Sequence, residues 1–171
     1  ITGLKLQSVA ADLSTFVEGR KLDVDASILI RMNEGVKGSL SISQIATGEE
    51  NNFSVSVYGD NGALHWLQEN PNFATFNKIG KPNQIITRGG PIQQDGSLAN
   101  LRIPPGHPEG FLEAFAQIYT DVADVIQGSY NSDEIKKILP NENDGLHIMK
   151  FINASVNSSK NNSIWTDLNS I

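Results

Sequence analysis

The stretch Ile103-Pro104-Pro105-Gly106-His107-Pro108-Glu109-Gly110-Phe111 leaves the backbone few choices. Pro104, Pro105 and Gly106 forbid regular structure, and Pro108 has its φ preset for a first helical position. Glu109 is then expected in the first turn, where a carboxylate suits the positive helix end. A clear period follows. Phe111, Phe115, Ile118, Val122 and Val125 fall on one stripe, flanked by Leu112, Tyr119 and Ile126. Glu109, Glu113, Gln117, Thr120 and Asp124 fall opposite, and Gly128 supplies the stop. The spacing predicts an amphipathic helix to about Gln127, packed on a sheet, with His107 at its mouth.

Before this point the chain reads as strands. Leu4 to Val17 is β-rich with imperfect alternation. Leu22, Val24, Ala26, Ile28, Ile30 and Met32 alternate with polar residues, the period of a half-buried strand. Asn33-Glu34-Gly35 makes a turn; Val36, Leu40 and Ile42, then Phe53, Val55 and Val57, continue the pattern. Gly59-Asp60-Asn61-Gly62 signals a hairpin, with Ala63–Glu69 returning as its partner. Phe73–Ile79 and Gln84–Thr87 add shorter strands. Arg88 to Gly106 reads as a long loop, and loops of that length are uncommon unless functional. Ser129 to Asn143 is polar. Asp144 is expected to cap a last helix that turns Leu146, Met149, Ile152 and Val156 to the core. Asn157 to Ser163 should be loose until Trp165 pins the end. Hairpin-linked strands followed by helices give an α+β class: a mostly antiparallel, open-faced sheet with helices on one face, in one domain over 1–171. Ser39, Ser41, Ser43, Ser54 and Ser56 should line one sheet face. That face is either wet or a close contact with another subunit.

Charge and composition narrow the function. Thirteen basic against 19 acidic residues give a net charge of −6, unsuited to nucleic acid. No apolar run approaches a membrane span. Without cysteine there are no disulfides, no thiolate chemistry and no cysteine metal sites; a reducing, cytoplasmic setting is expected. No Gly-x-Gly-x-x-Gly or phosphate-binding Gly-x-x-x-x-Gly-Lys turn is present, so no nucleotide site is read here. Three scattered histidines have no metal-ligand spacing. His65 reads as packing or surface, and His147 as support for a helix end. Glu109 and Glu113 share a polar helix face rather than flanking a bond, which argues against a glycosidase pair. His107, fixed between Gly106 and Pro108, is either a helix cap or a hydrogen-bonding group for a ligand hydroxyl.

Several stretches, in order, resemble the C-terminal domain of the glucose–fructose oxidoreductase/inositol dehydrogenase (Gfo/Idh/MocA) family. They are Phe16-Val17-Glu18-Gly19-Arg20-Lys21-Leu22-Asp23, Ser43-Gln44-Ile45-Ala46, Gly48-Glu49-Glu50-Asn51-Asn52 and Tyr58-Gly59-Asp60-Asn61-Gly62-Ala63-Leu64-His65-Trp66. Gly106-His107-Pro108-Glu109-Gly110-Phe111, Asp144-Gly145-Leu146 and Ser158-Ser159 with Trp165 complete the series. The resemblance implies an NAD(P)-dependent oxidoreductase acting on a sugar or polyol. It assigns cofactor binding and the catalytic lysine and histidine to an N-terminal Rossmann domain and its junction, outside this chain. No catalytic, cofactor or metal residue is therefore expected here, and Ile1-Thr2-Gly3-Leu4 reads as mid-chain sequence. His107 is expected to contact substrate, with Glu109 orienting the loop and Arg102 beside it. The partners implied are the Rossmann domain, the sugar or polyol and further copies of the protein. A non-catalytic binding or assembly module is the alternative.

Overall fold

The structure, a computed structural model, describes residues 2–91, 101–129 and 132–170. Residues 92–100 of the expected long loop, and 130–131 of the polar stretch, lie outside them. The chain divides into two compact units, Ile1–Gly48 with Pro140–Ile171, and Glu49–Leu139. The class is α+β with antiparallel strands, as the order of elements predicts, but the strands form two four-stranded sheets where one was expected.

The first unit holds β1 (Leu6–Ser14), β2 (Asp25–Met32), β3 (Lys37–Ser43) and β8 (Thr166–Asp167), in sheet order β3-β2-β1-β8. The turn at Asn33–Gly35 joins β2 to β3, and Asn33 Oδ1 accepts the Lys5 amide at 2.9 Å. Val9, Ala11, Ala26 and Ile28 point to the core with Ala154 and Leu168. Leu40 and Phe151 pack at its edge.

The last helix, Glu142–Lys160, covers this core. Asn141 caps it by accepting the Asn143 amide at 2.8 Å, and Asp144 closes the box by accepting the Asn141 amide at 2.8 Å. The expected cap is thus displaced by three positions. Its buried side is also different from the one its large apolar residues suggested. Leu146, Met149 and Ile152 are exposed, while Ala154, Ser155 and Ser158 are buried. Small residues let the helix approach β1 closely.

That approach has a polar reason as well. β8 pairs with β1 only at Ser8 and Val9. Further along the same edge the Ala11 amide donates to Ser158 Oγ at 2.9 Å and the Leu13 amide to Ser159 Oγ at 3.0 Å. Ser158 Oγ in turn donates to the Ile164 carbonyl at 2.6 Å. The stretch expected to be loose caps a sheet edge instead. Trp165 lies against Arg31, whose guanidinium carbon is 3.8 Å from the ring centroid.

The second unit holds β4 (Ser54–Gly59), β5 (Gly62–Leu67), β6 (Phe73–Lys78) and β7 (Gln84–Thr87), paired in sequence order. The hairpin falls where expected, with Gly59 opposite Gly62. A Cβ at Gly62 would stand 2.3 Å from the Asn77 carbonyl oxygen, so β6 can approach only a glycine there. Ser39, Ser41 and Ser43 belong to the first sheet and Ser54 and Ser56 to the second, so the single serine face is not formed as one sheet surface.

Helix α1 (Phe111–Gln127) and short helix α2 (Ser132–Ile138) follow, the latter within the stretch read as merely polar; Glu142–Lys160 is α3. Among the described residues of α1, Asp121 alone is buried, with Gln117 beside it donating to Asp121 Oδ1 at 2.7 Å. The apolar stripe is turned out: Phe111, Phe115, Ile118 and Val122 are all exposed. Among the described residues the sheet packing expected from this stripe is not formed.

Candidate functional site

The loop before α1 is held from the far end of the β6–β7 hairpin. Phe73 pairs with Thr87, and the ladder extends one step further through the Arg88 amide, which donates to the Asn72 carbonyl at 2.9 Å. The hairpin therefore sets the side chains of Asn72 and Arg88 next to each other, facing residues 101–110.

All three nitrogens of the Arg88 guanidinium donate there. Nε donates to Asn72 Oδ1 at 2.8 Å, Nη1 to the Ile103 carbonyl at 3.2 Å, and Nη2 to the carbonyls of His107 at 2.6 Å and Pro104 at 3.5 Å. Nη1 also pairs with Glu109 Oε2. The two side chains are only 14% and 7% exposed, so this is a buried ion pair rather than a surface one. Asn72 Oδ1 also accepts the Glu109 amide at 3.1 Å, and Glu109 Oε1 accepts the Arg102 amide at 3.0 Å. Both ends of the loop are tied to one centre.

Gly89 permits this closeness. Its φ is +73°, and a Cβ would meet Pro105 Cγ at 2.7 Å and Leu101 Cδ1 at 3.2 Å. Neither a left-handed backbone nor that gap suits a larger residue.

The three residues expected from the sequence lie in this loop, in different situations. His107 is exposed, with its ring Nδ1 3.3 Å from the Pro104 carbonyl. It lines a cleft of about 340 Å³ with Asn72, Phe73, Thr87, Arg88 and Pro108. Glu109 is buried and its oxygens face Arg88 and the Arg102 amide. It precedes the helix rather than entering its first turn, because α1 starts at Phe111 with Gly110 as its cap. Glu113 takes the first-turn place and accepts the Gly110 amide at 2.9 Å. That bond chiefly holds the Glu113 carboxyl below its usual range, with Arg102 and Arg88 adding to it. The Arg102 guanidinium donates to Thr120 Oγ1 at 2.8 Å on α1.

Arg88 and Asn72 are the residues that sequence reasoning missed. Arg88 read as the first residue of a loop; only the glycine pair after it, Gly89-Gly90, marks a place of close approach. Arg88 also lines a second cavity, about 610 Å³, with Trp66, Pro71, Phe111, Ile118 and Asp121. Among the described residues no group of three His, Asp or Glu side chains is arranged to hold a metal ion. No helix among them is long and apolar enough to cross a membrane.

The chain is similar to known proteins along most of its length. Residues 1–65 match the GFO/IDH/MocA C-terminal domain. An uncharacterized oxidoreductase, YfiI, of Bacillus subtilis (strain 168) is 27% identical over 168 residues, covering 96% of this chain and 43% of that protein. The crystal structure of an oxidoreductase from Sinorhizobium meliloti is 41% identical with a TM-score of 0.89, over 96% of this chain and 47% of that one. An inositol dehydrogenase homolog from Azotobacter vinelandii, complexed with NADH and myo-inositol, is 25% identical with a TM-score of 0.87, over 96% of this chain and 45% of that one. The chain spans under half the length of each of these relatives.

Proposed function

We propose that the chain is a C-terminal domain of the Gfo/Idh/MocA type, and that it forms the substrate side of an NAD(P)-dependent oxidoreductase acting on a sugar or polyol. The observation that carries this reading is His107: an exposed imidazole at a cleft, on a backbone fixed by a buried ion pair. An imidazole on a backbone held in this way has only its own rotamer left to order on meeting a ligand hydroxyl, which lowers the cost of binding. The Azotobacter vinelandii homolog holding NADH and myo-inositol supports a polyol as the ligand class. Glu109 acts on the loop and not on the ligand, since its carboxylate is already engaged; Arg102 lies beside it, tied to α1.

The nicotinamide cofactor does not fit the described residues. A dinucleotide is held by a glycine-rich turn between a parallel strand and a helix N-terminus. Here the described strand pairs are antiparallel and no such turn occurs. In this reading the cofactor and the catalytic acid–base groups belong to a Rossmann domain outside this chain. Contact between copies is assigned to the outer face of the first sheet, where Ser27, Ser39 and Ser41 surround exposed Leu29. An assembly module without catalysis is the second reading, favoured by the outward apolar stripe of α1.

The test is steady-state kinetics of the full-length protein carrying His107→Ala, with a melting curve alongside. A neutral hydrogen bond contributes about 0.5–1.5 kcal/mol, so kcat/KM for the polyol should fall about tenfold. Unchanged activity with lowered stability would make His107 a structural residue and leave the assembly reading in its place.

A further inference from the structure

We propose that Arg88 is the positioning residue of this site: it sets the place of the His107 imidazole by holding the backbone on which the imidazole stands. The inference rests on the substrate reading of His107 given above. Three observations carry it. First, the Arg88 guanidinium reaches the carbonyls of Ile103, Pro104 and His107, so it grips the loop at residues that flank and include the histidine. Second, its charge is met by Glu109, two residues beyond His107, while Glu109 in turn takes the Arg102 amide at the loop's start. Third, Asn72 and Arg88 themselves stand on a paired hairpin, which gives the loop a rigid base.

Among the described residues His107 has no comparable anchor of its own. Its amide meets the Pro104 carbonyl at 3.3 Å and its ring the same oxygen at 3.3 Å, both long contacts within the loop. Without Arg88 the loop would keep its prolines but lose the bonds that fix its distance from the hairpin. Lysine cannot replace it, since one ammonium cannot reach a carboxylate, an amide oxygen and three carbonyls in a planar fork.

The experiment compares Arg88→Lys, His107→Ala and their combination in the full-length protein with its cofactor. A fourth variant, Arg88→Gln with Glu109→Gln, removes both charges together and leaves no buried charge unpaired. The expected result is a KM for the polyol raised about tenfold by Arg88→Lys with kcat within about twofold, the pattern of lost binding that is uniform along the reaction. The double-glutamine variant should do the same. In the His107→Ala background Arg88→Lys should add nothing, because both act through one contact. Amide exchange in Arg88→Lys should quicken over 101–110 and stay unchanged in β4 and β5. A folded Arg88→Lys protein with unaltered KM, beside a His107→Ala that does raise KM, overturns the role of Arg88 alone. Effects of Arg88 and His107 that multiply overturn it too. A silent His107→Ala beside an Arg88→Lys that raises KM overturns the substrate reading of His107, and this inference with it.

Discussion

Ser158 is fully buried, and its hydroxyl is used twice: it accepts from the Ala11 amide and donates to the Ile164 carbonyl. Replacing it by alanine leaves a buried strand amide without its acceptor, which costs about 1–3 kcal/mol. Urea unfolding of Ser158→Ala should register that loss, whereas Ser159→Ala, at a less buried neighbour, should lose less. Equal and negligible losses would mean that water serves this edge. The resemblance singled out Ser158-Ser159, but their role at a sheet edge could not be read from the residue pattern, where Asn157 to Ser163 looks like solvated filler. A hydroxyl is equally suited to water and to a sheet edge, and only the shortness of β8 decides between them. Arg88 was hidden for a similar reason: its carbonyl acceptors at Ile103, Pro104 and His107 lie beyond it in the chain, on a loop whose path no local pattern sets. His107, by contrast, was legible, because Gly106 and Pro108 constrain the backbone on both sides.

For the two long helices, α1 and α3, existence was legible and orientation was not; short α2 was missed within a polar stretch. The apolar period located α1 to its last residue at Gln127, and Gly128 ends it with a left-handed backbone. Yet that stripe faces out, and α1 buries Asp121 from its polar flank. In α3 the large apolar residues again face out, and Ala154 and Ser158 take the core. A stripe reports that a face can be covered; it does not name the neighbour. Small residues are silent on a hydrophobic scale although they decide how closely a helix can lie on a sheet. The two helices should therefore respond in opposite ways. Phe115→Ser on α1 should change the stability of this chain by no more than about 0.5 kcal/mol, as surface substitutions do. Ala154→Leu on α3 should cost about 1–3 kcal/mol by overfilling a closed contact with β1. Melting of the two variants would check this, and the reverse order would contradict the described packing.

In the molecule as a whole, hydrophobic alternation found β2, and the Gly59–Gly62 turn fixed the β4–β5 register. Alternation could not tell which strands share a sheet, so five serines expected on one face are divided between two. The candidate site lies within the second unit, built from the β6–β7 hairpin and the loop leading into α1. The resemblance read from the sequence runs through both units, and the structural relatives cover 96% of the chain. The proposed function requires one contact: His107 meeting a substrate hydroxyl while the cofactor is held elsewhere. The most direct measurement is a crystal structure of the full-length protein with reduced cofactor and a bound polyol. A His107 ring nitrogen about 2.6–3.2 Å from a substrate hydroxyl, with the dinucleotide on another domain, is the result predicted. A polyol bound away from residues 101–110, or a dinucleotide seated on this chain, would contradict it.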